Sequence, residues 1–224
     1  MLTRRPGRLD GWKVGRWLLL TAILPTVGHA QAVLNQFSYD NLRPSAIQFD
    51  IGLLSASQLS GSAVGGMRLD YGYIAPKIRV LLGASYFKGQ LDRDTRNRFE
   101  ERLRNFVIDP SGDDTIRVGR IYWSTVVIDL DLQYAIPQGR RVTTYLGLGV
   151  GVQMRNGSGT LIDDTFVEDA LDQLAAAGNV SLSVETMLAG NLRWVVDARG
   201  AVSVGLSTVS LRTGLAFRFG GAGK

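Results

Sequence analysis

The sequence predicts an all-β fold: an eight-stranded antiparallel up-and-down transmembrane β-barrel, with short helices in two long loops on its outer side. Three observations carry this prediction. Eight segments alternate apolar and polar residues with the period of two that a strand imposes. The connections between them alternate between tight turns and longer excursions. One segment, YLGLGVGVQM at 145–154, sets Leu146, Leu148, Val150, Val152 and Met154 against Gly147, Gly149 and Gly151. A strand that faces bulk water opposes its apolar face with charge, not with bare backbone.

The elements follow in order. Residues 1–30 read as a cleaved signal peptide: Arg4, Arg5, Arg8, Lys13 and Arg16, then the apolar run WLLLTAILPTVG, then small residues up to Ala30. That run is too short for a spanning helix of ~20 residues. The leader holds five of the 25 basic residues and one of the 20 acidic ones, so the remaining chain has 20 against 19, a net charge of +1. The basic character thus lies in the leader, and no nucleic-acid partner is expected. Residues 31–45 are a polar periplasmic segment, 46–219 the barrel domain and 220–224 a tail.

Strand one, 46–57, sets Ile47, Phe49, Ile51 and Leu53 against Gln48, Asp50 and Gly52. Strand two, 63–74, sets Met67, Leu69, Tyr71 and Tyr73 against Arg68, Asp70 and Gly72. Strand three, 77–88, opposes Ile78, Val80, Leu82, Ala84 and Tyr86 to Arg79, Gly83 and Ser85. Strand four, 116–136, opposes Tyr122, Val126, Ile128, Leu130, Leu132 and Tyr134 to Thr125, Asp129, Asp131 and Gln133. Strand five is the glycine strand, 141–155. Strand six, 179–188, alternates Val180, Leu182 and Val184 with Ser181, Ser183 and Glu185. Strand seven, 191–202, alternates Leu192, Trp194, Val196 and Ala198 with Arg193, Asp197 and Arg199. Strand eight, 206–219, alternates Val209, Leu211, Leu215, Phe217 and Phe219 with Ser210, Arg212, Gly214 and Arg218. Each is long enough to cross a bilayer as a tilted strand of ~9–11 residues.

IAPK, IPQGR and LAGN supply tight turns. The other end is expected to carry longer connections: SASQLSGSA, residues 89–115, residues 156–178 and a shorter loop near 201–206. Two of these carry helix signals. Phe99, Leu103 and Phe106 lie at helical spacing in DRDTRNRFEERLRNF. TFVEDALDQLAAAG offers a capping box at Thr165 and Glu168 and a C-cap at Gly178.

Alternation leaves open which face points outward. Aromatic residues gather near the strand ends, Tyr71, Tyr73, Tyr134, Trp194, Phe217 and Phe219 at the tight-turn end, Tyr86 and Tyr122 at the other, as in interfacial girdles. Past the leader the only lysines are Lys77, Lys88 and Lys224, and Arg is preferred where charges pair in confined space. Gly and Ser on the polar face suit the narrow interior of an eight-stranded barrel. The apolar face is therefore expected to meet lipid.

On YLGLGVGVQ and the closing LRTGLAFRF, with the strand pattern over most of 46–219, the chain resembles the small outer-membrane β-barrel family of the opacity-protein and OmpA-transmembrane-domain type. The resemblance implies a bacterial outer-membrane location, contact with outer-membrane lipids and lipopolysaccharide, and insertion by the barrel-assembly machinery. Members of the family usually end on an aromatic residue, whereas GGAGK follows Phe219 here.

The expected lumen carries Asp50, Asp70, Asp129, Asp131, Glu185 and Asp197 against Arg68, Arg79, Arg155, Arg193, Arg199, Arg212 and Arg218. Charges withdrawn from water need partners, so a network that closes the lumen is expected. No catalytic site is expected: barrel enzymes of the envelope rely on a catalytic His, and the one His, His29, lies in the leader. With no Cys anywhere, zinc sites built on His or Cys are excluded, and no cofactor or metal is expected. Arg93, Arg96, Arg98, Arg102 and Arg104 are candidate contacts for lipopolysaccharide phosphates or a surface partner. The expected role is structural or interactive: envelope integrity or surface contact. The alternatives are a narrow passive pore for ions or small solutes and a soluble periplasmic ligand-binding barrel.

Overall fold

The structure is a computed structural model and describes residues 42–106, 120–158 and 173–219. Residues 1–41, expected to hold a signal peptide and a periplasmic segment, and residues 220–224 lie outside the described residues.

Eight antiparallel strands form one closed barrel in sequence order. They are β1 (Ala46–Ala56), β2 (Leu59–Ala75), β3 (Ile78–Gln90), β4 (Tyr122–Gln138), β5 (Val142–Ser158), β6 (Gln173–Ala189), β7 (Leu192–Ser203) and β8 (Leu206–Arg218). Closure comes from β1 against β8, in continuous register from Ala46 opposite Arg218 to Ala56 opposite Thr208. A closed barrel leaves no unpaired edge, which lipid would penalise severely.

The turns obey backbone chemistry. Gly139, Gly190 and Gly205 take positive φ, and Lys77 after Pro76 is the non-glycine residue that does so among the described residues. One connection expected to be long is tight, since only Ser57 and Gln58 separate β1 from β2, and the shorter loop expected near 201–206 narrows to Val204 and Gly205 between β7 and β8. The polar stretch after Ser57 is strand, because its backbone continues the ladder: Ser62 pairs with Leu54 and Ala63 with Leu53.

An α-helix, α1 (Arg93–Phe106), follows β3. The second expected helix is corrected over its C-terminal part. Residues from Gln173 belong to β6, with Leu174 opposite Met154 and the supposed capping Gly178 opposite Val150. Two neighbouring strands satisfy that backbone, so no helix can claim it. Thr165 and Glu168 lie outside the described residues.

The apolar face points outward. On β5 the residues Leu146, Leu148, Val150, Val152 and Met154 are 42% to 68% exposed. Phe49, Ile51, Leu53, Leu130, Leu182, Val209 and Leu211 continue the band around the other strands. Soluble proteins do not carry a continuous apolar belt of this extent. The soluble alternative, which needs the apolar face inward, is thereby overturned.

Candidate functional site: the filled lumen

The lumen is built in layers. At the long-loop end Leu54, Leu59, Val64, Phe87, Leu91, Ile121, Trp123 and Leu206 form a buried apolar cap. The sequence reading missed this cap. Its signal was present as large apolar residues in the polar phase of their strands, Phe87 beside Tyr86 and Trp123 beside Tyr122.

Below the cap lies a central charge cluster. Arg199 pairs with Asp129 at 3.1 Å, with Asp131, and with Asp197 at 3.9 Å. Arg68 reaches Asp197 at 2.9 Å and Asp50 at 3.8 Å, and Arg212 reaches Asp50 at 3.4 Å. Asn179 donates to Asp131 at 3.0 Å, and Ser183 donates to Asp197.

A second cluster fills the tight-turn end. Arg79 pairs with Asp70 at 3.3 Å and with Glu185 at 3.1 Å, and Glu185 also meets Arg193 at 3.2 Å and Arg218 at 2.8 Å. Arg79 donates twice to Gln133 Oε1, at 3.0 and 2.8 Å, and stacks 3.5 Å from the centre of the buried Tyr145 ring. A guanidinium held by two carboxylates, an amide and a ring has no freedom to leave.

Arg155 departs from the expected network. Buried near the cap, it has no carboxylate within ion-pair distance among the described residues and instead donates to Gln153, Gln173, Ser203 and the carbonyl of Val204. Its guanidinium also lies 5.9 Å from the Trp123 ring.

The glycines of β5 are explained by register. Gly147, Gly149 and Gly151 lie opposite Gln133, Asp131 and Asp129 of β4. A methyl group at Gly149 would collide with the Asp131 carboxylate and stand 2.6 Å from Asn179 Nδ2. Acids elsewhere are accommodated alike: Asp129 is flanked by Gly83 and Gly151, and Asp50 by Gly66 and Gly214. Glycine thus makes the lumen wide enough for its charges.

Between the layers the free space is small. An enclosed cavity of about 20 Å³ lies between Phe87 and Leu54 of the cap and Arg199 and Arg212 below. Another, of about 10 Å³, lies among Arg68, Asp70, Arg79 and Glu185. Each has room for about one water molecule.

Outside, Tyr73, Tyr86, Tyr134, Trp194, Phe217 and Phe219 are exposed on the wall, while Tyr71 and Tyr122 are half-buried. Trp194 Nε1 donates to Thr213 at 2.8 Å, which holds the indole against the wall. On α1, Arg93 and Arg98 are exposed and Arg96 is half-buried; the side chains of Arg102 and Arg104 lie outside the described residues.

Comparison with protein-family models and with curated protein sequences finds no match. Comparison with solved structures finds Neisserial surface protein A at a TM-score of 0.53 and 13% identity, covering 78% of this chain and 96% of that one. The chain has the fold of a small outer-membrane β-barrel. The N-terminal β-barrel domain of Pseudomonas aeruginosa OprF is similar at a TM-score of 0.46 and 12% identity, over 79% of this chain and 98% of that one. A major outer membrane protein from Thermus thermophilus is similar at 0.45 and 14%, over 78% and 99%. The shared fold accounts for the closed wall, whereas the layered lumen and any function depend on this chain's own side chains.

Proposed function

We propose that the protein is a bacterial outer-membrane barrel with a closed lumen, and that its role is structural or interactive rather than catalytic or conductive. The carrying observation is the stack of apolar cap and two buried ion-pair clusters; the two cavities described among these layers hold about 20 and 10 Å³. A hydrated ion needs a continuous polar path, and paired guanidiniums and carboxylates fill the cross-section. The tight turns and both ends of the barrel domain face the periplasm, and α1 faces outward. There Arg93, Arg96 and Arg98 would meet lipopolysaccharide phosphates or a partner at the cell surface, and the barrel-assembly machinery would insert the chain.

Two measurements test the closed membrane barrel. Protein from an outer-membrane fraction should migrate differently on a gel with and without boiling; an unshifted band, with the protein free in the periplasm, would remove the membrane reading. In planar bilayers the protein should give no stepwise current, and unitary steps would establish the narrow pore instead. A third addresses the surface contact. Replacing Arg93, Arg96 and Arg98 with Gln should weaken lipopolysaccharide binding, and unchanged binding would remove the phosphate contact.

A further inference from the structure

The two ends of the barrel differ in charge. At the long-loop end, signs are mixed: Lys88, Arg93, Arg96, Arg98 and Arg120 stand among Asp92, Asp94 and Glu101. At the tight-turn end the exposed charged residues, among those described, are all basic: Arg43 before β1, Lys77 in the β2–β3 turn, and Arg140 and Arg141 in the β4–β5 turn. None of these four has an ion-pair partner among the described residues. The charge cluster behind them adds to the imbalance, because Asp70 and Glu185 face Arg79, Arg193 and Arg218. Arg218 is 32% exposed at the mouth.

On the membrane reading, this rim falls at headgroup level. Tyr73, Tyr134, Trp194 and Phe217 are exposed on the outer wall just above it, and such amphipathic rings settle at the boundary between acyl chains and headgroups. Cations one turn further out therefore lie among the phosphates, where each Lys or Arg attracts anionic lipid.

We propose that Arg43, Lys77, Arg140 and Arg141 form a binding rim for the phosphate groups of anionic phospholipids in the leaflet at the tight-turn end. The rim gathers a shell of such lipids around the barrel. The inference rests on the membrane reading above. A basic patch of this kind acts by local charge, so its preference falls as salt rises.

The test uses the full-length mature protein refolded into phosphatidylcholine vesicles with and without phosphatidylglycerol. Spin-labelled lipids at the protein boundary report selectivity. The wild type should prefer phosphatidylglycerol over phosphatidylcholine several-fold at low salt. A variant carrying R43Q, K77Q, R140Q and R141Q should lose that preference. A variant with as many charges removed at the other end, R93Q, R96Q, R98Q and R120Q, should keep it. Absence of preference in the wild type, its retention in the rim variant, or its loss in the loop-end variant alone would overturn the proposal. Selectivity for added lipopolysaccharide but not for phosphatidylglycerol would also overturn it. The boiling-dependent gel shift, run on every sample in neutral vesicles, separates this outcome from failure of the membrane reading itself.

Discussion

Arg199 is the residue whose removal would test the lumen most directly. Its side chain is 5% exposed and touches three carboxylates. Asp197 would survive the loss, since Arg68 holds it at 2.9 Å and Ser183 donates to it. Asp129 and Asp131 would not, because no other guanidinium lies within ion-pair distance of either among the described residues. Among the described residues Asp131 would keep only the side-chain amide of Asn179, at 3.0 Å. R199M, which preserves much of the side-chain volume, therefore strands two carboxylates in a closed interior. Breaking one buried pair typically costs ~3–5 kcal/mol. With two acids stranded, the loss should lie near the upper figure, a large part of a typical stability of ~5–15 kcal/mol. Equilibrium urea unfolding of the vesicle-inserted protein, followed by tryptophan fluorescence, would measure it. The triple variant R199M/D129N/D131N should recover most of the loss, since it removes the stranded charges with the cation. A cost under ~1 kcal/mol for R199M would match a solvated surface pair and refute the premise that the lumen is dry.

Further outcomes follow from the same geometry. G149A should destabilise by ~1–3 kcal/mol, because its methyl group meets a carboxylate that is itself held in place, whereas G178A, where nothing lies within 4 Å, should be near neutral in the same unfolding assay. V150R, in the middle of the apolar belt, should cost ~2–4 kcal/mol in vesicles, and a smaller cost in thicker bilayers than in thin ones would contradict its placement. Beyond residue 30 the tryptophans are Trp123 and Trp194. Brominated lipids should quench the exposed Trp194 and spare the cap residue Trp123, as read from W123F and W194F, and the reverse pattern would invert the wall.

Much of the wall was legible because a strand's period converts sequence directly into faces. Leu146 to Met154 needed only alternation and the oddity of their glycine partners. The lumen's charges were legible as residue types but not as pairs, since pairing depends on register. Arg68 and Asp197 are 129 residues apart, and nothing local announces their contact. Arg155 was placed in the lumen by the same phase argument, but among the described residues it meets no carboxylate and donates instead to Gln153, Gln173 and Ser203. The misread loops have a shared cause. The Ser- and Gly-rich stretch after Ser57 and the Ala-rich stretch before Val180 have weak alternation, so composition spoke for turn and helix. Hairpin pairing to β1 in the first case, and pairing across the connecting segment to β5 in the second, overrode that local preference.

The seam between β1 and β8 bears on how the chain can assemble. Asp50 and Arg212 belong to opposite sides of that seam, 162 residues apart, and their contact can form only once the last strand meets the first. A barrel lacking one strand would hold the same guanidiniums and carboxylates in a wet, open trough, with no reason to shed their water. Desolvation and pairing therefore arrive together, at the final step. The lumen pairs contribute little while the ring is seven-eighths complete, and partial assemblies, with an apolar face and two open strand edges, should depend on other proteins to hold, sort or degrade them before the ring shuts.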